Sequence, residues 1–324
     1  MAMILEAKEI YDVLKERLRA RLKSLPTLTL ASLTIGKNYS SQVYRASQKK
    51  LAESLGVKYL SLELPQNIRV KDALAKIQSF NKNKKITGIV ANKPFPSNFT
   101  EEIIFSTIDY KKDIEGMNPY NLGLLFVGEP LFISPTVLSI LEFIKMSGID
   151  LYGKQVTIVG FSTLIGKPLA LILGRKLATV TITHIGTYES GKLPFYVKNS
   201  DIVVSAVGKP HIIKGEWIKK GAVIIDVGIG KLNNKVVGDI EFEAAKKKAA
   251  FITPVPGGVG KLTSLFLFKN LIDAYSLYQN TLPASGGRGC TRGQSRSGTS
   301  PHGAYCKSPR AAEGVPMGLQ KKYA

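Results

Sequence analysis

Residues 156–168 read Val156-Thr157-Ile158-Val159-Gly160-Phe161-Ser162-Thr163-Leu164-Ile165-Gly166-Lys167-Pro168. A short β-branched run stops at Gly160, a turn follows, and Gly166 opens an apolar helix carrying Ala170, Leu171 and Leu173. That pattern predicts a buried parallel strand feeding a helix N-terminus. Gly160 permits a tight turn and close backbone approach, and Gly166 lets the helix pack near the strand. The free N–H groups of the helix's first turn, with its dipole, form a seat for a phosphate. The spacing Gly160-x-Ser162-x-x-x-Gly166 departs from G-x-G-x-x-G, so alone it fits any strand–helix turn as well as a dinucleotide site.

The flanking sequence favours the dinucleotide. Further strands are expected at 179–183, 201–205, 221–226 and 250–253, and the last three run into Gly208, Gly228 and the Pro254–Gly260 loop. In open α/β sheets ligands bind at that carboxyl edge. Upstream, residues 1–25 read as charged and amphipathic rather than as a signal peptide, with a helix over 7–24 that carries Ile10, Val13, Leu14, Leu18 and Leu22 on one stripe. Strands at 28–35, 57–64 and 86–91 then alternate with helices at 40–55, 71–81 and 100–107. Ser134 is expected to cap a helix that begins at Pro135 and reaches about Met146. An apolar helix at 262–277 is expected to pack back on the first domain.

The expected class is α/β with two domains. Residues 1–135 form the N-terminal α/β substrate domain, 136–261 a Rossmann-like doubly wound sheet, and 262–279 the returning helix. From residue 280 Ser, Gly, Arg and Pro dominate without apolar period, which reads as a disordered or non-native tail.

The chain has 324 residues, 44% of them hydrophobic, with mean hydropathy near zero, as a soluble globular protein has. No apolar run is long enough to span a membrane. The net charge is +21, of which the tail contributes +6. The remaining lysines scatter over helix faces, and no aromatic–basic interleaving supports an RNA surface. Cys290 and Cys306 both lie in the tail, so the globular part has neither a disulfide framework nor a cysteine-ligated metal, and a cytoplasmic location is expected. No metal is expected.

Eight segments together resemble the bifunctional methylenetetrahydrofolate dehydrogenase/cyclohydrolases. They are Ser41-Gln-Val-Tyr44, Lys112-Asp-Ile-Glu-Gly116, Gly160 to Pro168, Ala178-Thr-Val-Thr181, Ser205-Ala-Val-Gly-Lys-Pro210, Gly221 to Gly228, Val237-Gly-Asp239 and Thr253 to Gly260. They fall in family order over residues 1–279, and chance matches would not keep that order. The resemblance implies two α/β domains with a cleft between them, a tetrahydrofolate-type substrate against the first, NADP or NAD on the second, and a homodimer. It implies hydride transfer from methylenetetrahydrofolate, then hydrolysis of the methenyl product to 10-formyltetrahydrofolate. Carried over residue by residue, it assigns the chemistry to Tyr44, Gln48, Asn92 and Glu115. It assigns cofactor contacts to Gly160, Phe161, Ser162, Ile165, Gly166, His184, Val207, Gly208, Gly228, Ile229, Gly257 and Gly258.

The departures from the family pattern fall on the chemistry. Relatives carry a lysine four residues after the tyrosine, on the same helix face; here Gln48 stands there, and it does not titrate. Lys49 starts about 100° around the helix, on another face. After the third strand Asn92 stands where relatives have glutamine, and Lys93 adds an amine that could replace the missing one. Glu115 replaces an aspartate that suits the amino edge of a pterin. Phe161 and Ile185 stand where NADP-using relatives have arginine and serine, so NAD is also open. His184 is read either as a cofactor contact or as a strand-end structural histidine. Two rival functions are a Rossmann oxidoreductase on another small substrate and a non-catalytic nucleotide- or polyanion-binding protein.

Overall fold

The computed structural model describes residues 1–281, less the side chains of residues 39–41, 43, 278, 280 and 281. In chain order the elements are β1 (Met3–Ile4), α1 (Lys8–Leu22), β2 (Thr29–Ile35), α2 (Tyr39–Leu55), β3 (Lys58–Leu64), α3 (Val70–Lys82), β4 (Gly88–Asn92), α4 (Glu101–Thr107), α5 (Pro119–Val127) and α6 (Pro135–Met146). There follow β5 (Gln155–Val159), α7 (Gly166–Arg175), β6 (Thr179–Thr183), α8 (Ile185–Glu189), α9 (Leu193–Lys198), β7 (Ile202–Ser205), β8 (Val223–Asp226), β9 (Gly230–Leu232), β10 (Lys235–Val237), α10 (Phe242–Lys246), β11 (Phe251–Ile252) and α11 (Val259–Thr281).

Two parallel sheets result. The first has order β3-β2-β4, the second β1-β11-β8-β7-β5-β6. The second is covered on both faces, which is why its strands read as unbroken apolar runs. Ile158, Val204 and Ile225 face one core, while Val159, Val203 and Ile224 face another on the opposite side. The first sheet divides similarly: Leu30 and Val90 join the first of those cores, and Ala31, Leu33 and Ile89 form a third with α3 and α4.

Gly160 and Gly166 behave as the opening stretch predicts. Gly160 adopts φ +125°, and a Cβ on Gly166 would overlap the Gly160 carbonyl oxygen. Helix α7 therefore starts in contact with the end of β5.

The returning helix is also found. α11 packs on α6 and α1, with Leu265, Phe268 and Leu271 buried. Asn270, buried in its middle, donates from Nδ2 to the carbonyls of Ile114 and Ile133, both at 2.8 Å.

Three readings need correction. The helix over 7–24 is found as α1, but a strand before it was missed: Met3–Ile4 pair in parallel with Phe251–Ile252, adding a sixth strand to the second sheet. Two residues carry no period, so local pattern could not reveal this strand. Ser134 occupies the N-cap position of α6 but makes no side-chain cap bond; its hydroxyl is buried at a cavity wall. The β9–β10 hairpin was not anticipated. Its turn residues Asn233 and Asn234 both hold positive φ, the type I′ chemistry that asparagine tolerates. The tail from residue 282 lies outside the described residues.

Replacing Asn270 with alanine strands two buried carbonyls. We expect urea denaturation to show a loss of about 1–3 kcal/mol. A loss under about 0.5 kcal/mol would place this contact among ordinary surface bonds.

Candidate active site

A cavity of about 350 Å³ opens where the carboxyl end of β4 faces the β5–α7 turn and the loop after β8. Tyr44, Asn92 and Glu115 line one wall, and Ile165 and Ile229 line the other. The N-terminus of α6 and the first turn of α11 close it with Ser134 and Thr263. Sequence assignments made from segments far apart in the chain thus meet at one place.

Each polar group is held from behind. Asn92 ends β4 beside β2, where parallel pairing sets Thr34 opposite it. Its Nδ2 donates to Ser32 Oγ at 2.8 Å, the Leu33 carbonyl at 3.0 Å and Thr34 Oγ1 at 3.2 Å. Its Oδ1 is buried without a hydrogen-bond partner among the described residues, in a residue that lines the cavity.

Gln48 lies one helical turn beyond Tyr44 and is fully buried. Its Oε1 accepts from the Tyr59 hydroxyl of β3 at 2.9 Å. It supports the wall from beneath rather than lining the cavity. Ser32, Thr34 and Tyr59 were missed by sequence reasoning. The signal for the first two was polar residues at alternate positions of an otherwise apolar strand; Tyr59 carried none.

Glu115 is half-buried, and its carboxyl is pushed up to about 8, first by burial and then by the neighbouring Asp113 carboxylate. A hydrogen bond from the Ala91 backbone and the charge of Lys93 act the other way. In the ligand-free chain at neutral pH it therefore offers both a donor and an acceptor. The Tyr44 phenol is pushed up by burial and by Glu115, so it stays a neutral O–H group. Lys93 reaches the cavity, but its ammonium pairs with Glu101 at 2.9 Å. Lys49 is exposed on α2.

The remaining assigned residues lie along the carboxyl edge of the second sheet, outside the cavity lining. Ser162 Oγ accepts from the Ile165 N–H at 3.1 Å, tying the β5–α7 turn. His184 follows β6 and caps α8, its Nδ1 accepting from Gly186 N at 3.2 Å. That is the structural role weighed for it. The Phe161 and His184 ring centroids are 6.4 Å apart, and the Lys167 ammonium is 4.7 Å from the Phe161 centroid. Lys209, next to Gly208, sits 4.9 Å from the Tyr188 ring. Phe161, Val207 and Ile229 are 53%, 46% and 66% exposed, so apolar surface is left open along this edge. Gly257 and Gly258 belong to the loop between β11 and α11. No group of three or more His, Cys, Asp or Glu among the described residues is placed to hold a metal ion.

Comparison with known proteins covers the same ground. Residues 5–115 match Tetrahydrofolate dehydrogenase/cyclohydrolase, catalytic domain, and residues 134–279 match Tetrahydrofolate dehydrogenase/cyclohydrolase, NAD(P)-binding domain. The chain belongs to the tetrahydrofolate dehydrogenase/cyclohydrolase family. The bifunctional protein FolD of Acetivibrio thermocellus is 40% identical over 281 residues, covering 85% of this chain and 98% of that protein. FolD of Aquifex aeolicus is 38% identical over 281 residues, covering 85% and 96%. Among solved structures, the Trypanosoma brucei FolD complexed with NADP cofactor and inhibitor has 32% identity and a TM-score of 0.82, covering 86% of this chain and 99% of that one. Within this family the cavity and the open sheet edge stand as the candidate active site.

Carbon-13 NMR of a glutamate-labelled chain should show the Glu115 carboxyl titrating near pH 8, with the resonance lost in Glu115→Gln. A midpoint in the ordinary glutamate range, about 4.3, would contradict the burial argument.

Proposed function

We propose that this chain oxidises 5,10-methylenetetrahydrofolate to 5,10-methenyltetrahydrofolate with NADP, and that it hydrolyses the methenyl product only weakly. The observation that carries the reading is the single cavity walled on one side by Tyr44, Asn92 and Glu115 and on the other by Ile165 and Ile229.

The residues present fit a nicotinamide dinucleotide. The Gly160–Gly166 backbone contact, which no Cβ could enter, sets the β5 turn against the N-terminus of a ten-residue helix. The adjoining edge offers apolar side chains for rings. No acidic residue ends β6, whereas Lys167 and Lys209 stand close to Phe161 and Tyr188. Cations without a carboxylate at this strand end favour a phosphorylated ribose over a free one. NADP, when bound, supplies the hydride acceptor.

The protein's part in that step is placement and charge. Glu115 offers a donor and an acceptor to the amino edge of a pterin, and Asn92 Oδ1 presents a fixed acceptor. The apolar wall of Leu164 and Ile165 excludes water from the reacting carbon. None of these tasks requires a side chain that gains or loses a proton.

Hydrolysis does require one. Water must lose a proton as it adds to the methenyl carbon, and the ring nitrogen must gain one as the carbon–nitrogen bond opens. Gln48 stands where the resemblance expects a lysine, and its amide cannot serve. Lys93 is engaged by Glu101. We take the working form to be a homodimer.

The test mixes the purified protein with methylenetetrahydrofolate and either NADP or NAD, following reduced nicotinamide and methenyl absorbance separately. We expect reduction of NADP with methenyl accumulating. Gln48→Lys should speed methenyl loss by about 10²-fold or more. No reduction with either cofactor would sink the dehydrogenase reading. Methenyl loss well above the uncatalysed rate in the wild type would sink the claim about Gln48.

A further inference from the structure

Two acids that no step above uses lie buried beneath the cofactor edge of the second sheet. Asp226 ends β8, and Asp239 follows β10. Asp226 Oδ1 accepts from the backbone N–H of Gly228 and of Asp239, both at 3.1 Å, and Oδ2 accepts from Ile240 N at 3.0 Å. Asp239 Oδ2 accepts from the Ser205 hydroxyl and from the Val207 N–H, both at 2.8 Å. The packing is reciprocal. A Cβ on Gly228 would overlap the Asp239 carboxyl, and one on Gly238 would overlap the Asp226 carboxyl. Asp239 therefore lies against the loop that Asp226 holds, and Asp226 lies against the backbone that leads into Asp239.

The loops these acids bond are the two that carry Val207–Gly208 and Gly228–Ile229. The chain segment between them comes from the β9–β10 hairpin, so three non-adjacent stretches are fastened at one buried point. Charge-assisted bonds to backbone N–H groups are among the stronger ones, and here they are shielded from water.

We propose that Asp239 is a positioning residue for the cofactor: it sets the distance and orientation between the loop after β7 and the loop after β8, and so the width of the nicotinamide seat. The inference rests on the NADP reading. Asp239 does not line the cavity and touches no reacting atom, so its loss should weaken cofactor binding more than it slows the chemical step.

Calorimetric titration with NADP alone, without folate, tests this in the wild type, Asp239→Ala, Asp239→Asn and Ser205→Ala. Loss of a charge-assisted anchor should weaken NADP binding about tenfold in Asp239→Ala. Asparagine keeps an acceptor for the Val207 N–H and should return affinity to within about threefold of wild type. In steady state, Asp239→Ala should raise the KM for NADP while kcat and the KM for methylenetetrahydrofolate stay within about threefold. A folded Asp239→Ala that binds NADP like the wild type would overturn the proposal. So would a fall in kcat with unchanged NADP affinity. Should Asp239→Ala not fold, Ser205→Ala carries the test: it removes one of the two donors to Oδ2, about threefold weaker binding is expected, and unchanged affinity overturns the proposal. A wild type that binds no NADP sinks the cofactor reading and this inference together. Equal binding in every variant sinks this inference alone.

Discussion

The burial of α11 against α6 and α1 is the constraint on which the site depends. Leu265, Phe268 and Leu271 on one helix, with Ile140 and Phe143 on the other, belong to the same core as Leu30 and Val90 of the first sheet and Ile158 and Val204 of the second. Two sheets that share one core cannot drift apart without exposing it. The gap between their carboxyl edges is therefore fixed by apolar packing. Asn270 adds direction to that packing by pinning α11 to the loops at Ile114 and Ile133, one residue from Glu115 and Ser134 respectively. The helix that closes the core thus also holds two walls of the cavity.

Much of this was legible in the chain because its signals are local. A β-branched run ending in glycine, with another glycine six residues on, has few structural solutions, and the Gly160–Gly166 contact is the one found. What was not legible depends on partners distant in sequence. β1 exists only because β11 offers it an edge some 250 residues later. Ser134 looked like a cap because serine is a favoured N-cap residue; here its hydroxyl is buried and makes no cap bond. The residues Tyr44, Asn92 and Glu115 were legible through the family pattern. Their supports were not: Tyr59 meets Gln48 only because β3 lies alongside β2 in one register.

Three buried acids give the molecule a shared electrostatic character. Burial is the first cause for each, raising Asp113 to about 6, Asp226 to about 7 and Glu115 to about 8. A carboxyl whose pKa rises on folding holds its proton more tightly in the folded state. Its contribution to stability is complete below the ordinary carboxyl range and is lost as pH rises through the raised value. The window here runs from about 4 to 8, opposite to the usual surface carboxylate, whose ion pair is lost in acid. Backbone N–H bonds oppose the rise at all three. These acids are structural anchors first, and only Glu115 also faces the cavity.

On the proposed function, a glutamine at position 48 separates two demands that one cavity would otherwise meet together. Hydride transfer asks for two ligands held face to face in a dry gap, and the shared core supplies that from residues remote from the reacting atoms. Proton transfer asks for a group whose pKa lies near the working pH and whose orbital reaches the water. An amide at position 48 retains the first property of the wall: it fills the volume and accepts from Tyr59. It removes the second. A buried lysine would carry a larger desolvation cost than a neutral amide, although Gln48 Nε2 is itself buried without a hydrogen-bond partner among the described residues. In that reading the raised Glu115 does not replace the lysine, because it is assigned to the substrate's amino edge. On the proposed function, the same rigid frame supports hydride transfer through geometry, and the non-titrating Gln48 is what would limit hydrolysis.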